Sequence, residues 1–308
     1  MKEIYVNLKR FEAPRKYGGL CPVDSPTGWI ESVMMESVES GLGSQDGLSL
    51  VYLLPEGLIP AAVMKLNSYK HTDRKTIEIG SQGVHWDDIQ PGGNFGAFTT
   101  SLPAASARNL GSTWAIVGHS EERRAKLQVM RAYNPDMDDQ TEKRSRASAA
   151  VDGLVQKEVD CALNVGLNVL LCVGESADER GEGSFEEQKP RIEAVLKSQL
   201  LTNLQGVVDH LGDRTVVIGY EPIWAIGPGK TPPGEAYIGF VSAYIKGVIV
   251  DNFDAEMSVV YGGGLKEENA AMITGIETID GGLVALTRFT GEIGFDVAGL
   301  KGIIELSM

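Results

Sequence analysis

The sequence predicts an α/β fold built as a single (β/α)8 barrel. Three observations carry this: short β-branched runs alternate with longer amphipathic stretches, the alternation repeats about eight times, and no composition break divides the 308 residues. Strands that alternate with helices return by right-handed crossovers, so the sheet is parallel, and eight such units in a chain of this length suit closure into a barrel. Periodicity alone leaves an open doubly wound sheet as the rival architecture. The whole chain, 1–308, is therefore expected to form one catalytic domain.

The strands are expected at 3–8 (EIYVNL), 48–53 (LSLVYL), 76–80 (TIEIG), 113–117 (TWAIV), 168–173 (NVLLCV), 215–220 (TVVIGY), 257–261 (MSVVY) and 279–284 (IDGGLV). Helical patterns fill the gaps. In SAAVDGLVQKEVDCALNVG, apolar residues fall at Val151, Leu154, Val155, Val159, Ala162, Leu163 and Val165, mostly at helical spacing, and Gly166 ends the run just before a strand. Two polar stretches with turn residues, 13–29 (APRKYGGLCPVDSPTGW) and 126–146 (KLQVMRAYNPDMDDQTEKRSR), read as long βα excursions after strands one and four.

Composition narrows the function. A formal net charge of −14 repels phosphate backbones and anionic lipid, so nucleic acid and membrane surfaces are not expected partners. The three cysteines, Cys21, Cys161 and Cys172, are odd in number and lack zinc-ligand spacing. Neither a disulfide framework nor a metal is expected, and a reducing cytoplasmic setting fits. The first residues, MKEIYVNLKRFE, run straight into an alternating strand, and no apolar stretch is long enough for an export signal or a membrane span.

In a parallel barrel the chemistry sits at the carboxyl ends of the strands. Asn7 and Lys9 follow the first strand two positions apart, aimed at one pocket or simply at solvent. His119 opens a helix after IVG. There the helix dipole disfavours imidazolium, so the ring is either a neutral hydrogen-bond donor or a structural histidine. Glu221 ends the buried run TVVIGY, where a carboxylate is costly unless something pairs it or uses it. The glycines of YGGGLKEENA (261–270), and those of DGGLVALTRF (280–289), form either plain turns or backbone cradles for an anion.

Taken in order, these strand ends resemble the triose-phosphate isomerase family. The resemblance runs through Asn7-x-Lys9, GAFT (96–99), GHSE (118–121), CVGE (172–175), YEPIWAIGPGKT (220–231) and YGGGLKEENA. It implies interconversion of dihydroxyacetone phosphate and glyceraldehyde 3-phosphate through an enediolate, on a small phosphorylated sugar, without cofactor or metal. It implies Glu221 as the base, His119 as a neutral donor to the carbonyl oxygens, Lys9 and Asn7 as stabilisers of developing charge, and Glu121 as their orienting partner. Residues 222–231 would form a closing lid whose Gly227 N–H meets the phosphate. Gly263 and Gly264 would join Gly227 in holding that phosphate.

The departures from the family pattern fall around the phosphate and the assembly contact. Pro228 stands where the lid usually has threonine or serine, and Gly264 replaces a serine. Ala285-Leu286 replaces a glycine pair after strand eight, with Arg288 just beyond as a possible bidentate clamp. The resemblance also implies a homodimer docked through the GAFT loop, although Ser101 and Glu122 replace both members of that contact's ion pair. Two other readings stay open: an isomerase of the same family acting on another ketose phosphate, for example a four-carbon one, and a non-catalytic barrel that binds a sugar phosphate.

Overall fold

Eight parallel strands close on themselves in chain order: β1 (Lys2–Asn7), β2 (Leu48–Leu54), β3 (Ile77–Ser81), β4 (Trp114–Val117), β5 (Asn168–Val173), β6 (Val216–Tyr220), β7 (Val259–Tyr261) and β8 (Gly281–Val284). The computed structural model describes residues 1–138, 140–227, 229–289 and 291–308. Closure is made by β1 against β8, in register from Glu3 opposite Gly281 to Val6 opposite Val284. The open doubly wound alternative is thereby excluded.

Each strand is buried on both faces, as a parallel sheet between a filled barrel and a helical shell requires. Along β1 and β2 the period of two separates the layers. Tyr5, Val51 and Leu53 join Trp114, Leu170 and Val260 in the barrel interior, whereas Ile4, Val6, Leu50 and Tyr52 pack outward against helices. A fully buried aliphatic side chain contributes about 1.5–3 kcal/mol, so these two layers dominate the stability. β7 and β8 are shorter than expected. Met257 and Ile279 are buried but precede the paired residues, so apolar character there marks the core and not the ladder.

The shell comprises α1 (Pro26–Glu39), α2 (Ile59–Asn67), α3 (His71–Arg74), α4 (Ala104–Asn109), α5 (Ser120–Tyr133), α6 (Thr141–Asn164), α7 (Ala177–Arg180), α8 (Phe185–Asn203), α9 (Glu235–Phe253), α10 (Glu267–Thr274) and α11 (Val297–Ser307). The expected junction after α6 is present, with Gly166 in the left-handed region at φ 86°.

The expected excursion over 126–146 needs correction. Residues 126–133 complete α5, Pro135–Met137 form a 3-10 turn, and residues 141–146 open α6. Charged side chains at the contact between α5 and α6 hid the helical period. Lys126, for instance, pairs with Glu122 one turn earlier and with Glu158 of α6. The stretch 13–29 is an excursion only to residue 25. There Ser25 caps α1, and Pro26 occupies its first position. Before that, Arg15 ion-pairs with Glu292 and donates to the Ile293 carbonyl at 3.1 Å, so this segment braces the loop after β8. Among the described residues, no helix is long and apolar enough to cross a membrane.

Candidate active site

Glu221 leaves β6 with its backbone N–H donating to Val173 O at 2.8 Å, and its side chain is only 3% exposed. Two glycines make this placement possible. A Cβ on Gly174 would lie 1.8 Å from Glu221 O, and one on Gly262 would lie 2.8 Å from Glu221 Cγ. The buried carboxylate is satisfied by the start of α5: Ser120 N–H donates to Oε2 at 2.8 Å and Ser120 Oγ to Oε1 at 3.0 Å. Ser120 is not singled out by the sequence pattern, although it sits inside the GHSE motif.

His119 is the N-cap of α5. Its Nδ1 accepts the Glu121 N–H at 3.3 Å, which puts the proton of the neutral ring on Nε2. That Nε2 stands 3.3 Å from Glu221 Oε1. Histidine and glutamate thus meet, as a donor and a base working on adjacent atoms of one substrate would have to.

Asn7 ends β1. Its Oδ1 accepts from Lys9 N–H and from Gln82 Nε2, each at 3.0 Å, so Nδ2 is the part of the amide left to donate to a ligand. Gln82 also donates to Lys9 O at 2.6 Å. It thereby holds Lys9 in a left-handed backbone at φ 37°, uncommon for a residue with a side chain. Lys9 Nζ lies 3.4 Å from Glu121 Oε1. Burial raises the Glu121 carboxyl, but the Lys9 ammonium and neighbouring charges outweigh it and the net shift is downward.

These groups share one cavity of about 630 Å³. Asn7, Lys9, His119, Glu121 and Glu221 line it, together with Gly227, Gly263, Gly264 and Ala285. Leu286 and Arg288 do not. Leu286 packs against the sheet–helix core, and Arg288 turns to Asp296 (3.2 Å) within a loop closed by backbone hydrogen bonds between residue 288 and Gly294. The sequence could not place them, because Leu286 reaches the core only after the barrel has closed. Pro228 lies outside the described residues.

Two buried carboxylates support the site from behind. Arg123, next to Glu122 on α5, donates to Gly118 O (2.7 Å), Cys172 O (3.1 Å) and Asn203 Oδ1 (2.8 Å), and pairs with Asp152. The ends of β4 and β5 are thereby tied to α6 and α8. Glu175 is fully buried and accepts from Tyr220 OH, Trp224 Nε1 and Tyr237 OH at 2.8–3.0 Å. Burial still raises its carboxyl. It anchors the first residues of segment 222–231, where Ile223–Ala225 form a 3-10 turn. Its place in CVGE was the signal for it. Among the described residues, no group of three or more His, Cys, Asp and Glu side chains is arranged to hold a metal ion.

The sequence model of the family described as Triosephosphate isomerase matches residues 52–292. The triosephosphate isomerase of Chloroherpeton thalassium is 32% identical over 258 residues, covering 82% of this chain and 84% of that protein. That of Alkaliphilus metalliredigens is 34% identical over 213 residues, covering 68% and 71%. In fold, the crystal structure of triosephosphate isomerase from Bartonella henselae covers 92% of each chain with a TM-score of 0.63, at 22% identity.

Proposed function

The chain belongs to the triosephosphate isomerase family, and we propose that it interconverts dihydroxyacetone phosphate and glyceraldehyde 3-phosphate with Glu221 as the base. The observation that carries this is the meeting of His119 Nε2 and Glu221 Oε1 at 3.3 Å, in a cavity also lined by Lys9, Asn7 and the Gly263-Gly264 turn.

Glu221 takes a proton from C1, the C–H electron pair forms the C1–C2 double bond, and the carbonyl pair moves to oxygen, giving an enediolate. His119 Nε2–H donates to that oxygen, and Lys9 offsets its charge, with Asn7 Nδ2 as a further donor. The hydroxyl proton of O1 passes to O2 by way of the His119 ring, the O1 electron pair re-forms a carbonyl at C1, and the C1–C2 π pair takes the proton back from Glu221 at C2, so the reaction balances without a cofactor. Glu121 holds the Lys9 ammonium. The Ser120 grip on both Glu221 oxygens must be released for the carboxylate to reach carbon, which couples substrate entry to the base. Phosphate would sit against the N–H groups of Gly227, Gly263 and Gly264, beside Ala285, with closure of 222–231 excluding water. Leu286 and Arg288 take no direct part.

We further assign residues 1–308 to one catalytic domain, active as a homodimer in the cytoplasm within glycolysis and gluconeogenesis. Exposed Tyr17, Trp86 and Phe95, the last 95% exposed, support a docking face. The three free cysteines suit a reducing compartment. A second reading, turnover of a longer ketose phosphate, is favoured by Ala285, which lines the cavity where the family has a glycine.

The experiment is solvent deuterium exchange into dihydroxyacetone phosphate, alongside a coupled assay for glyceraldehyde 3-phosphate. Exchange and turnover that vanish together in Glu221→Gln support the reading. No exchange by the unsubstituted protein overturns it.

A further inference from the structure

The cavity that holds Glu221 and His119 is larger than their chemistry needs. Its volume of about 630 Å³ falls in the ~300–1,000 Å³ range of pockets that enclose drug-sized molecules, and a triose phosphate fills only a fraction of it. Beyond His119 the cavity runs between α5 and α6. Arg124, Leu127 and Arg131 line it from α5 at i, i+3 and i+7, and Arg144 and Ser148 from α6 at i and i+4, so one face of each helix is turned to the same space. Buried Met137, from the turn between the helices, lines it as well. In barrel order this annex, reached from β4, lies across β5 and β6 from the glycine turn that follows β7.

Its charges are unevenly neutralised. Arg123 is taken by Asp152, and Arg131 by both oxygens of Asp138 at 2.8 and 3.3 Å. Arg124 and Arg144 form no ion pair among the described residues. On the facing wall stand Asp178 and Glu179. Glu179 is already engaged by the N–H (2.8 Å) and hydroxyl (2.7 Å) of Ser176.

We propose that the annex is a second anion subsite, in which Arg124 and Arg144 hold a phosphoryl group on the far side of the base from the glycine turn. Guanidinium is suited to this because its planar fork offers paired donors to phosphate oxygens. The phosphoryl group has two possible sources: the terminus of a ketose phosphate longer than a triose, whose C1–C2 unit lies against Glu221 and His119, or a free phosphate bound beside the substrate. The first source rests on the proposed function.

The test compares the unsubstituted protein with Arg124→Gln/Arg144→Gln, both at exposed helical positions that glutamine tolerates. Turnover of dihydroxyacetone phosphate in each preparation reports folding. Three readouts follow: the ratio of kcat/KM for erythrulose 4-phosphate to that for dihydroxyacetone phosphate, the pattern of inhibition by inorganic phosphate, and the structure of phosphate-soaked crystals. A ratio that falls about tenfold or more in the double variant supports the subsite with the substrate as source. An unchanged ratio, with a mixed component of phosphate inhibition lost in the variant, supports it with a free anion as source. If ratio and inhibition are both unaltered and soaked crystals show no phosphate against Arg124 and Arg144, the proposal is overturned. A protein that exchanges no ketose phosphate refutes the proposed function alone, and the soaked crystal then decides the subsite by itself.

Discussion

The carboxylate of Glu122 accepts the backbone N–H of Gly118 at 2.7 Å, one residue before His119. Where the resemblance implies an arginine directed at a partner chain, this protein has an acid turned back onto its own turn between β4 and α5. Lys126 pairs with Glu122 and, at 2.7 Å, with both oxygens of Glu158, which is 1% exposed. One cation therefore serves two carboxyl groups, beside the turn that carries the histidine.

The first prediction follows from that imbalance. Burial and the charge of Glu122 push the Glu158 carboxyl from 4.5 up to about 9, while Glu122 is lowered. Between those two values the folded protein holds a proton that the unfolded chain has released, so this group's stabilisation is lost as pH rises from about 4.5 to 9. Glu158→Gln imitates the protonated acid. The midpoint of thermal unfolding, measured from pH 5 to pH 9, should decline less steeply in the variant than in the unsubstituted protein. Parallel slopes would show that Glu158 releases its proton normally.

Arg123→Leu removes one half of a buried ion pair and leaves Asp152, Asn203 and the Gly118 and Cys172 carbonyls without their donor. Breaking such a pair costs about 3–5 kcal/mol. Urea denaturation should report a loss of that size, and a change below 1 kcal/mol would contradict the account of Arg123 as the tie between the strand ends.

Glu221→Asp keeps the charge but withdraws the carboxylate by one bond length. Misplacement on the ångström scale costs on the order of a hundredfold in rate. A kcat lowered by that factor, with an unchanged circular dichroism spectrum, is expected. Wild-type turnover would remove Glu221 from the chemistry.

His119→Gln leaves a group that can still donate a hydrogen bond, but no longer from the imidazole position. Loss of a well-placed oxyanion donor lowers kcat about 10²–10³-fold. The expected result is a fall in kcat with KM changed far less, together with slower deuterium exchange into the substrate. A reduced melting temperature with normal turnover would make this histidine structural.

The alternation of β-branched runs with amphipathic stretches was enough to predict eight parallel strands, because each strand's apolar content and each helix's spacing are local properties. The unusual residues at the strand ends, Asn7, Lys9, His119 and Glu221, were legible for the same reason: a polar group at the end of a buried run stands out in one dimension. Closure of β1 on β8 was decided only in three dimensions, since it depends on a register between residues nearly a full chain apart. So were the grip of Ser120 on Glu221, the hold of Gln82 on Asn7 and the burial of Arg123, each a hydrogen bond between segments distant in sequence. Leu286 and Arg288 show the limit most clearly. Beside a strand end they read as site residues, yet the core had room for the leucine, and Asp296 offered the arginine a partner that sequence proximity to the site could not reveal. Local patterning determines which elements form and where polar groups interrupt them. Long-range packing and the pairing of buried charge decide which of those groups face the cavity.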